Sequence, residues 1–276
     1  MLAAVLLAAA AAYYYHAGNK VRVETVQLQS KLIGKVLPYS VVLPRGYDLI
    51  TSRQTRYPVL FLLHGWSGNY SSWVKSTGLT QYAAEQQLII VTPEGGNGWY
   101  TDSATVASDK YETYFLNELI SDVDRHYRTI ADRRGRGVAG NSMGGYGALK
   151  FGLKHPEMFS FAGSMSGALD ASKRTDEASL RQTFGEPNSP VRGSNDLTRL
   201  AREFPPERQP LLPYLYLDCG SDDPWLAANR DFVNILLERR MLHEYRQLPG
   251  DHVWKYWDRQ LREVLRVAAD RMASPE

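Results

Sequence analysis

The stretch VAGNSMGGYG (Val138–Gly147) sets four glycines around one serine. Glycine costs conformational entropy and is used where the backbone turns tightly or approaches another group closely. Read as G-x-S-x-G, the stretch is Gly140-Asn141-Ser142-Met143-Gly144, preceded by the short apolar pair Val138-Ala139 and followed by the amphipathic run YGALKFGLKHP. Strand, sharp turn and helix in that order make a nucleophile elbow, in which strained backbone angles hold a serine hydroxyl exposed. The plainer alternative is an ordinary strand-to-helix connection, since short motifs recur by chance. The partners available to the serine decide between the two.

The whole chain narrows the classes. At 276 residues, 43% hydrophobic and 22% charged, it has ordinary globular composition, and α/β folds of this length are often one domain with one core. A net charge of +2 with no compact basic stretch gives no electrostatic case for nucleic acid. Cys219 is the single cysteine, so no intramolecular disulfide can form, and neither CxxC nor Cys/His zinc spacing occurs. The expectation is chemistry with no cofactor and no metal.

Residues 1–17 differ in character from the rest of the chain. Leu2 to Ala12 is an apolar run too short to span a bilayer and suited to a secretory h-region, although no Lys or Arg precedes it. The expectation is export, secreted or periplasmic, with an ordinary apolar tail on a cytoplasmic protein as the alternative. Residues 18–276 then read as a single domain.

Eight apolar, β-branched or aromatic runs alternate with helical periodicities: VRVETVQL, LPYSVVLP, YPVLFLLHG, LIIVTPEGG, GVAG, FAGSMSG, LPYLYLDCG and EYRQLPG. The continuous runs VLFLLHG and LIIVTP predict strands buried on both faces, hence a parallel sheet covered by helices. The first two runs, alternating and close together, predict an antiparallel lead-in. Phe115, Leu116, Leu119, Ile120, Val123 and Tyr127 recur at helical spacing, as do Phe232, Ile235, Leu236 and Leu237. Residues 170–210 break the alternation. They are polar, rich in proline and too poor in apolar residues for a core of their own, so they read as an insertion, a long connection or a small lid.

In open α/β sheets, sites form beyond the carboxyl ends of the strands. Four strand ends carry suggestive chemistry: His64-Gly65-Trp66-Ser67-Gly68, then Glu94 to Asp102, then Cys219 to Asp223, and Pro249-Gly250-Asp251-His252-Val253-Trp254. With Ser142 they supply nucleophile, acid and base in the order Ser, Asp, His, which is the chain order of the α/β-hydrolases. A serine is a poor nucleophile without an adjacent base, and histidine titrates near neutral pH. His252 is best placed, in a glycine-bearing loop beyond the last strand. His64 precedes the elbow and reads as a brace for its own loop; His126 and His155 end helices, where an imidazole can satisfy terminal carbonyls. His16 lies in the N-terminal segment, and His243 reads as surface. For the acid, Asp218 lies inside a strand, Asp251 is too near His252, and spacing leaves Asp222 and Asp223 equivalent. Oxyanion donors would be the backbone N–H of Met143, at the elbow, and of Trp66, with Gly65 allowing close approach.

With these blocks in view, the sequence resembles the esterase D-like family of α/β-hydrolases, which includes S-formylglutathione hydrolases, tributyrin-type, feruloyl and acetylxylan esterases, and the related mycolyltransferases. LFLLHGWSGNYSSW, NGWYTD, GNSMGGYGALKFGLKHPEMFSFAGSMSGALD, CGSDDPWLAANRDF and PGDHVWKYW are similar to its successive blocks, from about Leu37 to Leu265. The resemblance implies an α/β-hydrolase fold, with Ser142 as nucleophile, His252 as base and Asp223 as acid. Asp223 is implied because the family's carboxylate precedes a short segment like Pro224-Trp225-Leu226. Trp66 and Met143 are the implied oxyanion donors, and GWYTD is most like the tributyrin-type and carbohydrate esterase branch. Formylglutathione hydrolases usually carry a cysteine shortly after the oxyanion loop; HGWSGNYSSW has none.

Trp99, Tyr100, Trp225 and Trp254 sit on or beside the site loops and are candidate pocket residues, with core or rim packing as the alternative for each. The expected activity is a serine carboxylesterase acting on short-chain or aromatic acyl esters, the substrate being a small-molecule or carbohydrate-linked ester. The alternatives are an acyltransferase with the same triad, an S-formylglutathione hydrolase, a peptidase sharing the elbow, and a non-catalytic binding module of the same fold.

Overall fold

The computed structural model describes residues 12, 14, 15, 18 and 20–276; His16 and most of the apolar N-terminal run lie outside these. Each of the eight apolar runs forms a strand: β1 (Arg22–Gln29), β2 (Val36–Leu43), β3 (Val59–Leu63), β4 (Ile89–Pro93), β5 (Arg136–Asn141), β6 (Phe161–Met165), β7 (Tyr214–Gly220) and β8 (His243–Leu248). They make one sheet in the order β1-β2-β4-β3-β5-β6-β7-β8. β1 and β2 pair antiparallel, β2 meets β4 antiparallel, and every later pairing is parallel. This is the predicted fold, an α/β-hydrolase fold with an antiparallel lead-in.

The central strands are buried on both faces because their side chains alternate between two cores. On β3, Val59, Phe61 and Leu63 enter one core, while Leu60 and Leu62 enter the other. The helices are α1 (Ser72–Ser76), α2 (Leu79–Ala83), α3 (Tyr111–Tyr114), α4 (Ile120–His126), α5 (Met143–Lys154), α6 (Ala178–Phe184), α7 (Pro190–Ser194), α8 (Leu197–Arg202), α9 (Leu226–Glu238) and α10 (Trp254–Arg271). α3 runs into α4 through a π-helical turn, Phe115–Leu119, so the predicted periodicity there belongs to one interrupted helix. α5 covers the first core and α10 the second, with Trp257, Leu261, Val264, Leu265 and Ala268 turned inwards. On α9, Phe232, Ile235 and Leu236 are buried but Leu237 is exposed, one step off the apolar stripe.

Strand order reverses between β4-β3 and β5, so the connections after β3 and β5 leave on opposite sides and open a crevice at the carboxyl edge. Residues 170–210 fold as short helices over this edge. Their Leu180, Phe184, Leu197 and Ala201 are buried in the core shared with α5, which supplies the apolar contact the segment cannot make alone.

Candidate active site

The elbow is built from contacts only glycine permits. A Cβ on Gly140 would lie 2.6 Å from the Leu63 carbonyl oxygen and from the Gly144 carbonyl carbon, and one on Gly144 would lie 2.3 Å from the same Leu63 oxygen. Both obstacles are backbone, so neither can rotate away. Between them Ser142 adopts φ 53° and ψ −117°, a conformation L side chains rarely take. Its N–H donates to the Met165 carbonyl and its carbonyl accepts from Tyr146 and Ala168, which fixes the turn from three sides. The strain aims the hydroxyl out of the sheet edge.

The hydroxyl meets the histidine foreseen for it. Ser142 Oγ lies 3.0 Å from His252 Nε2, and His252 Nδ1 lies 2.9 Å from Asp223 Oδ2. With Nδ1–H donating to the carboxylate, Nε2 is free to accept from the serine. Asp223 is buried, which by itself raises its pKa, but hydrogen bonds from His252 and from the Trp225 N–H outweigh burial and hold it below the usual carboxylate range. Asp222, equivalent by spacing, bonds instead with the Ser221 hydroxyl, and Asp251 accepts from the His252 N–H. A serine hydrogen-bonded to a base that is oriented by a buried carboxylate is the geometry of nucleophilic catalysis.

Beneath these groups lies a second acid. Asp218, wholly buried on β7, accepts the Tyr256 hydroxyl at 2.9 Å, and so joins β7 to the first turn of α10, directly after the His252 loop. Burial pushes its pKa up to about 7.

The loop after β3 lies against the serine: a Cβ on Gly65 would stand 3.3 Å from Ser142 Cβ. Met143 opens α5, so its N–H has no partner within the helix. His64 does more than brace its own loop. Its Nδ1 donates to the Gly65 carbonyl at 2.8 Å, and its Nε2 accepts the Gly95 N–H at 2.9 Å, which ties the loop after β3 to the loop after β4. His126 bonds the Asp122 carbonyl as foreseen. His155 faces Glu112 rather than a helix-end carbonyl, and His243 is half-buried rather than on the surface, its Nδ1 on the Met241 carbonyl.

Ser142 and His252 open into a cleft of about 600 Å³. Five of the chain's six tryptophans line it: Trp66, Trp99, Trp225, Trp254 and Trp257. Of the four predicted pocket residues, Trp99, Trp225 and Trp254 are in place. Tyr100 is not: its ring is buried below the cleft, where a Cβ on Gly95 or Gly147 would strike it, and its hydroxyl donates to the His64 carbonyl. It supports the site from beneath because Trp99 and Tyr100 both have left-handed backbone, which turns their rings apart. Sequence reasoning missed Trp257, which meets the His252 ring edge-on at 4.9 Å; its place three residues after Trp254, on one helix face, was the available signal. It also missed Glu177, from the 170–210 segment, at the cleft rim, where Arg174 stacks over Trp225 at 5.0 Å. No sequence signal marked that contact.

Comparison with known proteins gives the geometry its family. The esterase family profile matches residues 30–267. An acetyl esterase from Caldicellulosiruptor saccharolyticus is 30% identical over 73% of this chain and 79% of its own length. Some curated relatives are longer, and the chain spans 57% of one of them. Among solved structures, a ferulic acid esterase superimposes with a TM-score of 0.81 at 27% identity, covering 92% of this chain and 99% of that one. A fluorophosphonate-binding serine hydrolase of Staphylococcus aureus superimposes with a TM-score of 0.79 at 26% identity, over 90% of this chain and 98% of its own. The chain therefore belongs to the esterase D-like family of α/β-hydrolases, and is a carboxylic ester hydrolase.

Proposed function

We propose that the protein is a serine esterase of short-chain or aromatic acyl esters, working through Ser142, His252 and Asp223. The observation that carries this reading is the continuous hydrogen-bonded chain from Ser142 Oγ through His252 to Asp223 at the floor of the tryptophan-lined cleft. His252 takes the serine proton as Oγ attacks the ester carbonyl, and the backbone N–H groups of Met143 and Trp66 receive the oxyanion. Collapse breaks the ester C–O bond, His252 gives its proton to the departing alkoxide, and an acyl-serine remains. Water, deprotonated by His252, then releases the acid and restores the serine. Asp223 keeps His252 in the tautomer this needs and stabilises the imidazolium.

Five indole rings along a cleft of about 600 Å³ suit a flat acyl group. The ferulic acid esterase and acetyl esterase similarities support an aromatic or a short acyl group. The test is hydrolysis of p-nitrophenyl esters from acetate to palmitate, with methyl ferulate, by the unaltered protein and Ser142→Ala. Turnover confined to acyl groups up to about butyrate, or to ferulate, and lost in Ser142→Ala together with fluorophosphonate labelling, is expected. Turnover that survives in Ser142→Ala would reject the proposed nucleophile.

A further inference from the structure

Lys150 lies on α5, the helix that Ser142 opens, and its side chain has no exposed surface. Its Nζ makes three hydrogen bonds: to the Tyr100 carbonyl, to Thr101 Oγ1 at 2.8 Å and to Glu112 Oε2 at 2.7 Å. The Thr101 hydroxyl in turn donates to the Trp99 carbonyl at 2.9 Å. One ammonium therefore holds the carbonyls of both left-handed residues, Tyr100 directly and Trp99 through a hydroxyl. Those two residues have φ 51° and 54° without being glycine, a conformation that persists only where the surroundings enforce it. Glu112, on α3, is fixed in its turn by Lys154 at 2.5 Å.

Such a pair is ill suited to adding stability, because desolvating two charges offsets most of their attraction. It is well suited to fixing a backbone. Burial lowers the Lys150 pKa, to about 8, and the Glu112 carboxylate opposes that fall, so the ammonium stays charged at neutral pH.

We propose that Lys150 is a positioning residue for substrate recognition: held by Glu112, it clamps the left-handed Trp99-Tyr100 backbone and thereby places the Trp99 wall of the cleft in register with Ser142. The inference rests on the reading of Ser142 as nucleophile. It differs from a plain structural role in acting on one wall, on acyl-group binding, and not on the serine or histidine.

The test is steady-state hydrolysis of p-nitrophenyl butyrate, with the rate of fluorophosphonate labelling measured in parallel. Lys150→Met is expected to raise KM about tenfold or more while kcat and labelling stay within about threefold. Thr101→Val, which keeps shape and removes the bridge to the Trp99 carbonyl, should move KM in the same direction and serves if Lys150→Met does not fold. In a Trp99→Ala background the KM effect of either change should shrink below about twofold, since the clamp then has no wall to place. An unchanged KM, an equal fall in labelling and turnover, or additive effects with Trp99→Ala would each overturn the inference. Failure of the unaltered protein to be labelled or to turn over ester would instead overturn the reading of Ser142, and the inference with it.

Discussion

Asp218 offers a prediction whose size follows from the structure. It is a carboxyl with no exposed surface, joined to Tyr256, and burial raises its pKa from 3.8 to about 7. A carboxyl with a raised folded-state pKa holds its proton in the native protein between pH 4 and 7, where the unfolded chain has released it. The folded state then binds more protons, so stability falls as pH rises through that window; its full contribution is present below pH 4. A difference of about three pH units at about 1.4 kcal/mol each amounts to about 4 kcal/mol by pH 7. Asp218→Asn keeps the shape and an acceptor for Tyr256 but has no proton to lose, so it should match the unaltered protein at pH 4 and exceed it increasingly towards pH 7. At roughly 2–4 °C per kcal/mol for a chain of this size, the gap in thermal midpoint should open to about 8 °C or more. The assay is thermal unfolding of both proteins at half-unit steps from pH 4 to 8. Every other titrating group is common to the two, so it cancels in the difference. A gap that stays flat across the range would refute the reasoning, and so would one that widens towards acid.

Other predictions are independent of this one. Asp223→Asn should lower kcat for p-nitrophenyl acetate by about 10⁴, the usual result of holding a catalytic histidine in the wrong tautomer, while Asp222→Asn should change it by less than about threefold; the reverse order would move the acid by one residue. Gly144→Ala drives a Cβ to 2.3 Å from the Leu63 carbonyl, so it should cost more than the ordinary 1–3 kcal/mol of an overpacked site; a thermal midpoint within a few degrees of the unaltered protein would contradict the elbow geometry. Trp257→Phe retains an aromatic edge on His252 and should keep kcat within about threefold, whereas Trp257→Ala should lower it at least tenfold by freeing the imidazole; equal activity in the two would remove Trp257 from the site.

The sequence by itself determined which strands form and which residues stand at their ends. Continuous apolar runs such as VLFLL and IIVTP can only be buried on both faces, and the glycines about Ser142 are needed by a turn too tight for a Cβ, so sheet class, elbow and His252 were legible from local chemistry. Local spacing did not separate Asp222 from Asp223. The two differ only in which way β7 delivers them, and the hydrogen bond to His252 spans 29 residues of chain. Tyr100 shows the same limit. It is adjacent to Trp99 and chemically as fit for a cleft wall, but consecutive left-handed residues turn one ring to the cleft and the other beneath it, and the lysine that meets the Tyr100 carbonyl is 50 residues away. Glu177 and Arg174 reach the cleft only because Leu180 and Phe184 are drawn into the main core. Periodicity and turn chemistry act over a few residues and are written in the chain. Which of two neighbouring side chains faces a distant partner is set by packing, and only the tertiary structure decides it.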